Sequence, residues 1–438
     1  MHKPPDDSPF SRGLRRLIVV VLTGVMAGLT GLALATLLHT LQHLAYGYDL
    51  GTIFSGESFL DGVSTATPAR RVAVLAVCGV VAGAGWWAVY RFGRPLVSIA
   101  KAVHGPQPRM PLVTTVCHAL LQIVTVALGS PLGREVAPRE IAAALAGALS
   151  ERAGLTLEET RVMVACGAGA GLAAVYNVPL SGACFVLEGL LATFGWRALV
   201  PAVATSVIAA LVARTGLGNL PQYAVPHYAA TASLMSWAAL AGPVFGAAAF
   251  AFGKLTASAR AKAPRDWRLA VLCILNFAFI GLLAVRFPQL LGNGKGPAQA
   301  GFDGTIAAGM AAVLLVLRVL ITWTSLRAGA GGGLLTPALC NGALLAIVLG
   351  AAWSAFWPGT PLGAFAVTGA AAFLATSMRV PLTAVLLVFE FTEPAQSFLV
   401  PVMIAVAGSV AASEAMRRAM AAREKSLLPG GQRDGVKA

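Results

Sequence analysis

The chain has 438 residues, of which 57% are hydrophobic and only 11% are charged. A mean hydropathy of +0.76 excludes an ordinary soluble globular protein. The net charge of +14 does not indicate a nucleic-acid-binding protein, because the sequence has no basic domain interleaved with aromatic residues. These properties predict an all-α polytopic membrane protein that is embedded in a lipid bilayer.

Residues 1–16 form a polar segment, the membrane domain is predicted over residues 17–415, and a basic tail over residues 416–438. The first apolar run has no A-x-A-like cleavage site, so we interpret it as a retained helix rather than a signal peptide. Lys and Arg residues cluster at both ends of the chain and at residues 260–268. Because positively charged segments stay on the cytoplasmic side, we expect both termini in the cytoplasm and an even number of crossings of the inner membrane.

Several apolar runs reach the roughly 20 residues that a helix needs to cross a bilayer. They are residues 17–38, 72–89, 234–252, 269–285 and 306–323. The last run contains a charged residue, Arg318, which weakens its assignment as a span. Shorter runs that Gly or Pro interrupts predict tilted or re-entrant helices around an internal site.

The segment GSPLGREVAPRE (129–140) places Arg134 and Glu135 between apolar segments. A charge within the membrane is costly, and its presence there favours a functional role. Pro138 suits the first turn of a helix, whose unpaired N–H groups attract anions. A carboxylate beside such a site can occupy it and leave when protonated, so Glu135 is predicted to be a gate. The alternative is a structural salt bridge from Glu135 to Arg134 or Arg139.

An internal repeat relates two parts of the membrane domain. The stretch with Asn177-Val-Pro-Leu and Glu188 recurs as Arg379-Val-Pro-Leu and Glu390, at a constant offset of 202 residues. Each unit has a small-residue helix, a break, and an apolar helix that ends in a carboxylate. The repeat predicts a duplicated transporter fold with two inverted halves. The first half is predicted at about residues 17–215 and the second at about residues 231–415.

The second half also has a Gly-rich approach to a helix-opening proline, at residues 329–337. Two helix N-termini, one from each half, are therefore expected to converge on one buried site, and their positive ends favour an anion. Six isolated cysteines and the pair His39 and His43 are too sparse for a metal site. His118 is interpreted as a satisfied buried side chain. The sequence therefore predicts neither a metal nor a cofactor.

With these motifs, the sequence resembles the CLC family of chloride channels and proton-coupled chloride exchangers. The segment GRE at 133–135 is similar to the family's GREGP motif, whose Glu is the external gate. The segment GLLTP at 333–337 is similar to the GxFxP motif, whose backbone N–H groups hold the central anion. The pattern at 176–188 and its echo at 378–390 also match the family.

The resemblance implies a mostly helical homodimer with inverted halves and one pore in each subunit. It implies that backbone N–H groups bind the anion at two places. The outer N–H groups are those of Arg134, Glu135 and Val136. The central N–H groups are those of Leu334 and Leu335, and Gly333 belongs to the same anion-binding segment.

Three departures from the family pattern affect the expected site. The family's GSGIP loop should fall near Gly93, where this chain reads Gly93-Arg94-Pro95 and so offers a candidate pore loop without the serine. Gly189 stands where exchangers commonly carry the inner proton acid, and no Tyr follows Tyr228. The central anion is therefore expected to lose two hydroxyl donors and to rely mainly on backbone N–H groups.

These features predict transport of chloride, or a related small anion, through a pore gated by Glu135, either channel-like or weakly proton-coupled. One alternative is a stoichiometric proton/chloride antiporter with Glu188 or water as its inner proton route, although Glu188 and Glu390 more simply cap or bridge helices. A membrane enzyme is disfavoured, because no HExxH, nucleophile-elbow or Walker sequence is present. A cation-coupled solute carrier would need carboxylates and unpaired carbonyls where this chain has Gly-rich helix starts.

Overall fold

A computed structural model describes residues 9–48, 58–107 and 109–427 of the chain. In this part the protein is helical and contains no β-strand, and the sequence predictions for residues 1–8 and 428–438 lie outside it. The α-helices are α1 (Pro9–Tyr46), α2 (Phe59–Thr65), α3 (Pro68–Phe92), α4 (Ile99–His104), α5 (Leu112–Ala127), α6 (Val136–Arg152), α7 (Leu157–Tyr176), α8 (Pro179–Cys184), α9 (Trp196–Leu217), α10 (Ala232–Ala261), α11 (Arg268–Arg286), α12 (Lys295–Phe302), α13 (Ala308–Ala328), α14 (Leu335–Ser354), α15 (Leu362–Met378), α16 (Pro381–Thr392) and α17 (Leu399–Leu427).

Among the described helices, 8 are long and apolar enough to cross a membrane. They are α1, α3, α9, α10, α11, α13, α14 and α17. Each of the five apolar runs that the sequence singled out overlaps one of them. The prediction of an all-α polytopic membrane protein is therefore confirmed.

Arg318 does not interrupt α13, although it lies in the middle of that helix. Its side chain is fully buried, and its guanidinium donates to the carbonyl oxygens of Leu290 (3.3 Å), Gly292 (3.2 Å) and Pro131 (3.4 Å). The charge therefore faces the protein interior rather than lipid, where it would be costly. It also ties the segment before Glu135 to the second half of the chain.

The backbone reproduces the internal repeat. The C-cap residue of α7 is Asn177, with φ 58° and ψ 46°, and that of α15 is Arg379, with φ 58° and ψ 38°. This left-handed conformation stops a helix, and Asn adopts it more readily than most residues. Two residues later, Pro179 and Pro381 each open a short helix, because proline is favoured in a first turn. The predicted breaks and short helices are therefore confirmed.

Small residues allow α7 to pack closely on the first turn of α6. A Cβ added at Gly171 would lie 2.5 Å from the carbonyl oxygen of Pro138. Only glycine permits this approach, because any side chain would force the two helices apart. The contact holds the start of α6, and with it Glu135, against the core.

Charged helix ends gather on one face of the protein, which we call the basic face. Arg16, at the start of α1, pairs with Glu159 in the first turn of α7. Arg109, just before α5, pairs with Glu151 in the last turn of α6 (2.9 Å). The sequence predicts that this face is cytoplasmic, since positive charge favours that side.

Candidate functional site

The glycine-rich segments of the two halves pair with each other. The N–H of Gly133 donates to the carbonyl of Gly333, and the N–H of Gly333 donates to the carbonyl of Gly133, both at 2.8 Å. These glycines lead into α6 and α14, so the N-termini of the two helices lie side by side, as the sequence predicted. The N–H of Gly333 is engaged in this pairing, and a part of Gly333 in anion binding stays a prediction.

Glu135 is fully buried and directly precedes α6, which begins at Val136 and has Pro138 in its first turn. The sequence could not fix the start, because the N–H groups of a first turn have no intrahelical partner and Pro138 fits any position there. Glu135 Oε1 accepts a hydrogen bond from the N–H of Leu335 at 2.8 Å. The carboxylate therefore lies at the N-terminus of α14, in the other half, and not at the start of its own helix.

Two glycines make room for this carboxylate. A Cβ at Gly133 or at Gly333 would overlap the carboxylate oxygens of Glu135. Leu334, the N-cap residue of α14, is half-buried beside them and has φ −123°. Glycine at both positions is therefore a requirement of the observed placement of Glu135, in addition to allowing the turn.

A tyrosine hydroxyl reaches the site from the first half. Tyr176, the last residue of α7, is buried, and its hydroxyl lies 3.4 Å from Glu135 Oε2 and 3.0 Å from the hydroxyl of Thr336. The loss of the two hydroxyl donors to the central anion stays a prediction, and Tyr176 is a hydroxyl group beside Glu135 that the sequence analysis did not anticipate. The sequence reasoning looked for a tyrosine only near the C-terminus. The available signal was the position of Tyr176 directly before the break at Asn177, which points the end of α7 at the site.

The arginines near the gate contact aromatic rings. The guanidinium of Arg134 lies 5.4 Å from the centre of the Tyr176 ring, and that of Arg139 lies 4.2 Å from the centre of the Phe185 ring. Arg139 also interacts electrostatically with Glu135. The ion pairs of the described residues do not include one to Glu135. The structural salt bridge that the sequence left open is therefore not what holds this carboxylate.

The candidate pore loop is exposed. Gly93 ends α3, the N–H of Arg94 donates to the hydroxyl of Thr114 at 3.1 Å, and Pro95 follows at the surface. α4 begins after Ser98, whose side chain caps the helix. The hydrogen bonds of the described residues do not connect this loop to Glu135. Its contribution to the pore stays a prediction.

Glu188 and Glu390 each cap the N-terminus of a helix in the other half of the chain. Glu188 accepts the N–H groups of Leu382 (2.8 Å) and Thr383 (2.7 Å), in the first turn of α16. Glu390 accepts the N–H groups of residues 180–181, in the first turn of α8, at 2.9 and 2.7 Å. A carboxylate at a helix N-terminus satisfies unpaired N–H groups and interacts favourably with the helix dipole. We call these contacts the reciprocal caps; a role of Glu188 in proton transfer stays a prediction.

Comparison with known proteins identifies the family. Residues 73–414 match the family described as voltage gated chloride channel. The chain is 28% identical over 402 residues to the voltage-gated ClC-type chloride channel ClcB of Citrobacter koseri, which covers 86% of this chain and 91% of that protein. It is 28% identical over 425 residues to the H(+)/Cl(−) exchange transporter ClcA of Vibrio cholerae serotype O1, which covers 92% of this chain and 86% of that protein.

Among solved structures, that of a slow cyanobacterial Cl−/H+ antiporter has the same fold. It superposes with a TM-score of 0.79 at 18% identity and covers 94% of this chain and 98% of that one. The chain belongs to the CLC family.

Proposed function

We propose that the protein transports chloride, or a related small anion, through a pore gated by Glu135, and that this transport is channel-like or weakly proton-coupled. The observation that carries the proposal is the hydrogen bond from the N–H of Leu335 to the Glu135 carboxylate. A helix N-terminus is a general anion site. The carboxylate therefore takes the position that a permeating anion would take, and transport requires it to leave.

Protonation releases the gate. An ionised carboxylate is attracted by the positive end of α14 and by the N–H of Leu335, whereas a neutral carboxyl group loses most of that attraction. Chloride can then compete for the same N–H group. The charged and titratable groups around the carboxylate are Arg134, Arg139, Tyr176 and Arg260. The three arginines also attract chloride. Because protonation of Glu135 frees the anion site, we expect transport to rise as pH falls.

The test is the substitution Glu135→Gln, which keeps the size of the side chain and removes its charge. Wild-type chloride efflux from proteoliposomes is expected to rise roughly ten-fold from about pH 7.5 to about pH 4.5, because protonation of the gate frees the anion site. Efflux through the variant is expected to change by less than about two-fold over the same range. The matched control is Glu158→Gln, at an exposed position in the first turn of α7. An unchanged pH profile in Glu135→Gln would refute the gate.

The alternative is a stoichiometric proton/chloride antiporter, since relatives named as channels and as exchangers both align with this chain. Gly189 supports weak coupling, because it carries no acid and a Cβ there would already lie 2.9 Å from Val380. A pH electrode in the bath of the same efflux experiment separates the two. A fixed ratio of protons to chloride would establish the antiporter. Assembly as a homodimer stays a prediction.

A further inference from the structure

We propose that His118 and Glu140 form a second proton site, through which protons pass between Glu135 and the basic face. This inference rests on the function proposed above, because it supplies the proton that releases the gate. It also answers a difficulty that the sequence raised: Gly189 cannot hold a proton at the position where exchangers carry an acid.

The two side chains are in direct contact. His118 Nδ1 on α5 lies 3.0 Å from Glu140 Oε2 on α6. The amide of Gln122 donates to the same oxygen at 3.2 Å and lies 3.0 Å from His118 Nδ1. The side chains of His118 and Glu140 are 12% and 15% exposed, so they lie inside the protein but within reach of water. Histidine changes charge near neutral pH, which suits it to accept and release protons.

The pair lies between the gate and the basic face. Glu140 follows Glu135 by five residues on α6, which corresponds to about 7.5 Å along the helix axis. The helix then continues to its last turn, where Glu151 meets Arg109 at the basic face. A proton that enters from that face therefore meets Glu140 before it reaches Glu135.

The loop before α14 connects the pair to the gate. A Cβ at Gly331 would lie 3.2 Å from His118 Nε2 and 3.0 Å from the ring of Trp86, so the imidazole faces this backbone. Two residues later, Gly333 lies directly against the Glu135 carboxylate. The imidazole and the gate thus contact the same short segment of chain.

Two arginines couple the carboxylates electrostatically. Arg139 and Arg260 each interact with both Glu135 and Glu140. Arg260 is fixed by a hydrogen bond to the carbonyl of Gly332 at 2.8 Å. A change in the charge of one carboxylate therefore alters the field at the other, because cations shared at short range are weakly screened inside a protein.

Unpartnered polar atoms around the pair offer places for water. Among the described residues, Trp86 Nε1, Gln122 Oε1 and Arg139 Nε are buried and have no hydrogen-bond partner in the protein. The Trp86 ring lies 6.4 Å from the His118 ring, centre to centre. Buried polar groups in proteins usually bind ordered water when no side chain satisfies them. These atoms are two donors and one acceptor, and the proposed bridging water would satisfy them.

The proton moves in four transfers. The carboxyl group of Glu140 gives its proton to a bridging water, and that water passes one of its own protons to the Glu135 carboxylate. The Glu140 carboxylate then takes the Nδ1 proton of the His118 imidazolium. The neutral imidazole regains its proton from a hydronium ion that enters from the basic face, so the solution there loses one proton for each proton that Glu135 gains. The titratable and charged groups that face the pair are Tyr90, Arg139 and Arg260.

The test measures chloride efflux and proton movement together in proteoliposomes under a chloride gradient. In the wild type, protons are expected to move with chloride at a low but measurable ratio. Glu140→Gln is expected to lower this ratio about ten-fold, because it removes the group that carries the proton. Glu140→Asp is expected to restore most of the ratio, and His118→Gln to lower it in the same direction. A side chain needed only for packing would not give this rescue by Asp.

Two comparisons make the outcome decisive. Glu158→Gln is the exposed control, and Glu188→Gln tests the rival inner route. An unchanged ratio in a monodisperse Glu140→Gln variant, or a loss in Glu188→Gln alone, overturns the inference. Wild-type chloride efflux without proton movement also overturns it and leaves the Glu135 gate intact. Absence of any chloride efflux is instead the failure of the proposed function, and this inference then fails with it.

Discussion

Glu135 and Glu188 use the same chemistry to different effect. Each carboxylate reaches from the first half to the N-terminus of a helix in the second half. Glu188 accepts two N–H groups and one hydroxyl group of α16, at 2.7 to 2.8 Å. Among the described hydrogen bonds, Glu135 accepts one N–H, from Leu335, and a long contact of 3.4 Å from Tyr176.

The internal repeat shows a second difference between Glu135 and Glu188. Glu390 mirrors Glu188 across the repeat, whereas Leu335 stands two residues after Gly333, where the first half has Glu135 two residues after Gly133. A hydrogen bond to a charged group contributes about 1.5–3 kcal/mol. Three such bonds hold Glu188, which makes it a permanent cap. Little more than one holds Glu135, so protonation can offset the free energy of that contact. The number of donors therefore distinguishes a gate from a structural carboxylate.

The largest expected effect on chloride efflux comes from removing the hydrogen bond between Glu135 and Leu335. The Cβ of Gly333→Ala would displace the Glu135 carboxylate from α14. Loss of one charge-assisted hydrogen bond, about 1.5–3 kcal/mol, is expected to raise chloride efflux at neutral pH by roughly ten- to a hundred-fold. The measurement is efflux from proteoliposomes at equal protein content.

The matched control for that variant is Gly309→Ala in α13, where no atom lies within 4 Å of the added Cβ. Its efflux is expected to equal that of the wild type. If Gly333→Ala is folded and its efflux at neutral pH is still that of the wild type, the carboxylate does not block the pore from this position.

A smaller effect, on stability rather than gating, is expected for the reciprocal caps. Glu188→Gln and Glu390→Gln each weaken charged hydrogen bonds to a helix N-terminus, at a cost of about 1–3 kcal/mol. Each is expected to lower the thermal midpoint of the detergent-solubilised protein and to preserve the pH dependence of efflux. An unchanged midpoint in both variants, or a lost pH response in either, would contradict this division of roles.

The smallest effect is expected for Tyr176→Phe. The contact of its hydroxyl with Glu135 is long, so its removal is expected to raise efflux at neutral pH only about two- to three-fold, the result of a weak hydrogen bond. Tyr228→Phe is the control, because that hydroxyl donates to the carbonyl of Phe302, away from the gate. A change as large as that of Gly333→Ala would mean that the tyrosine, and not Leu335, holds the gate.

Local patterns in the sequence predicted much of this arrangement. Apolar runs of sufficient length gave the spans, and the breaks at Asn177 and Arg379 gave the register of the repeat. Glu135 stood out because a charge inside the membrane needs a compensating environment. Each of these signals is local, because it depends on residues within a few positions of one another. Over such distances helix periodicity, proline and glycine constrain the backbone directly.

The contacts between the halves were not predictable in the same way. Tyr176 meets Thr336 across 160 residues, and Glu135 meets Leu335 across 200 residues. Their partners depend on how two helix ends pack, which periodicity does not specify. The pairing of Gly133 with Gly333 likewise depends on how the two halves pack, although the sequence analysis had recognised both glycines.

The reciprocal caps also determine when two contacts can form during synthesis of the protein. Leu382, which donates to Glu188, lies 194 residues later in the chain, and Glu390, which accepts from Leu180, lies 210 residues later. During synthesis the N-terminus of α8 and the carboxylate of Glu188 are therefore made long before the groups that pair with them. Insertion should end in a late, concerted closure of both caps, and a nascent chain arrested before residue 382 should be a preferred substrate for membrane quality control.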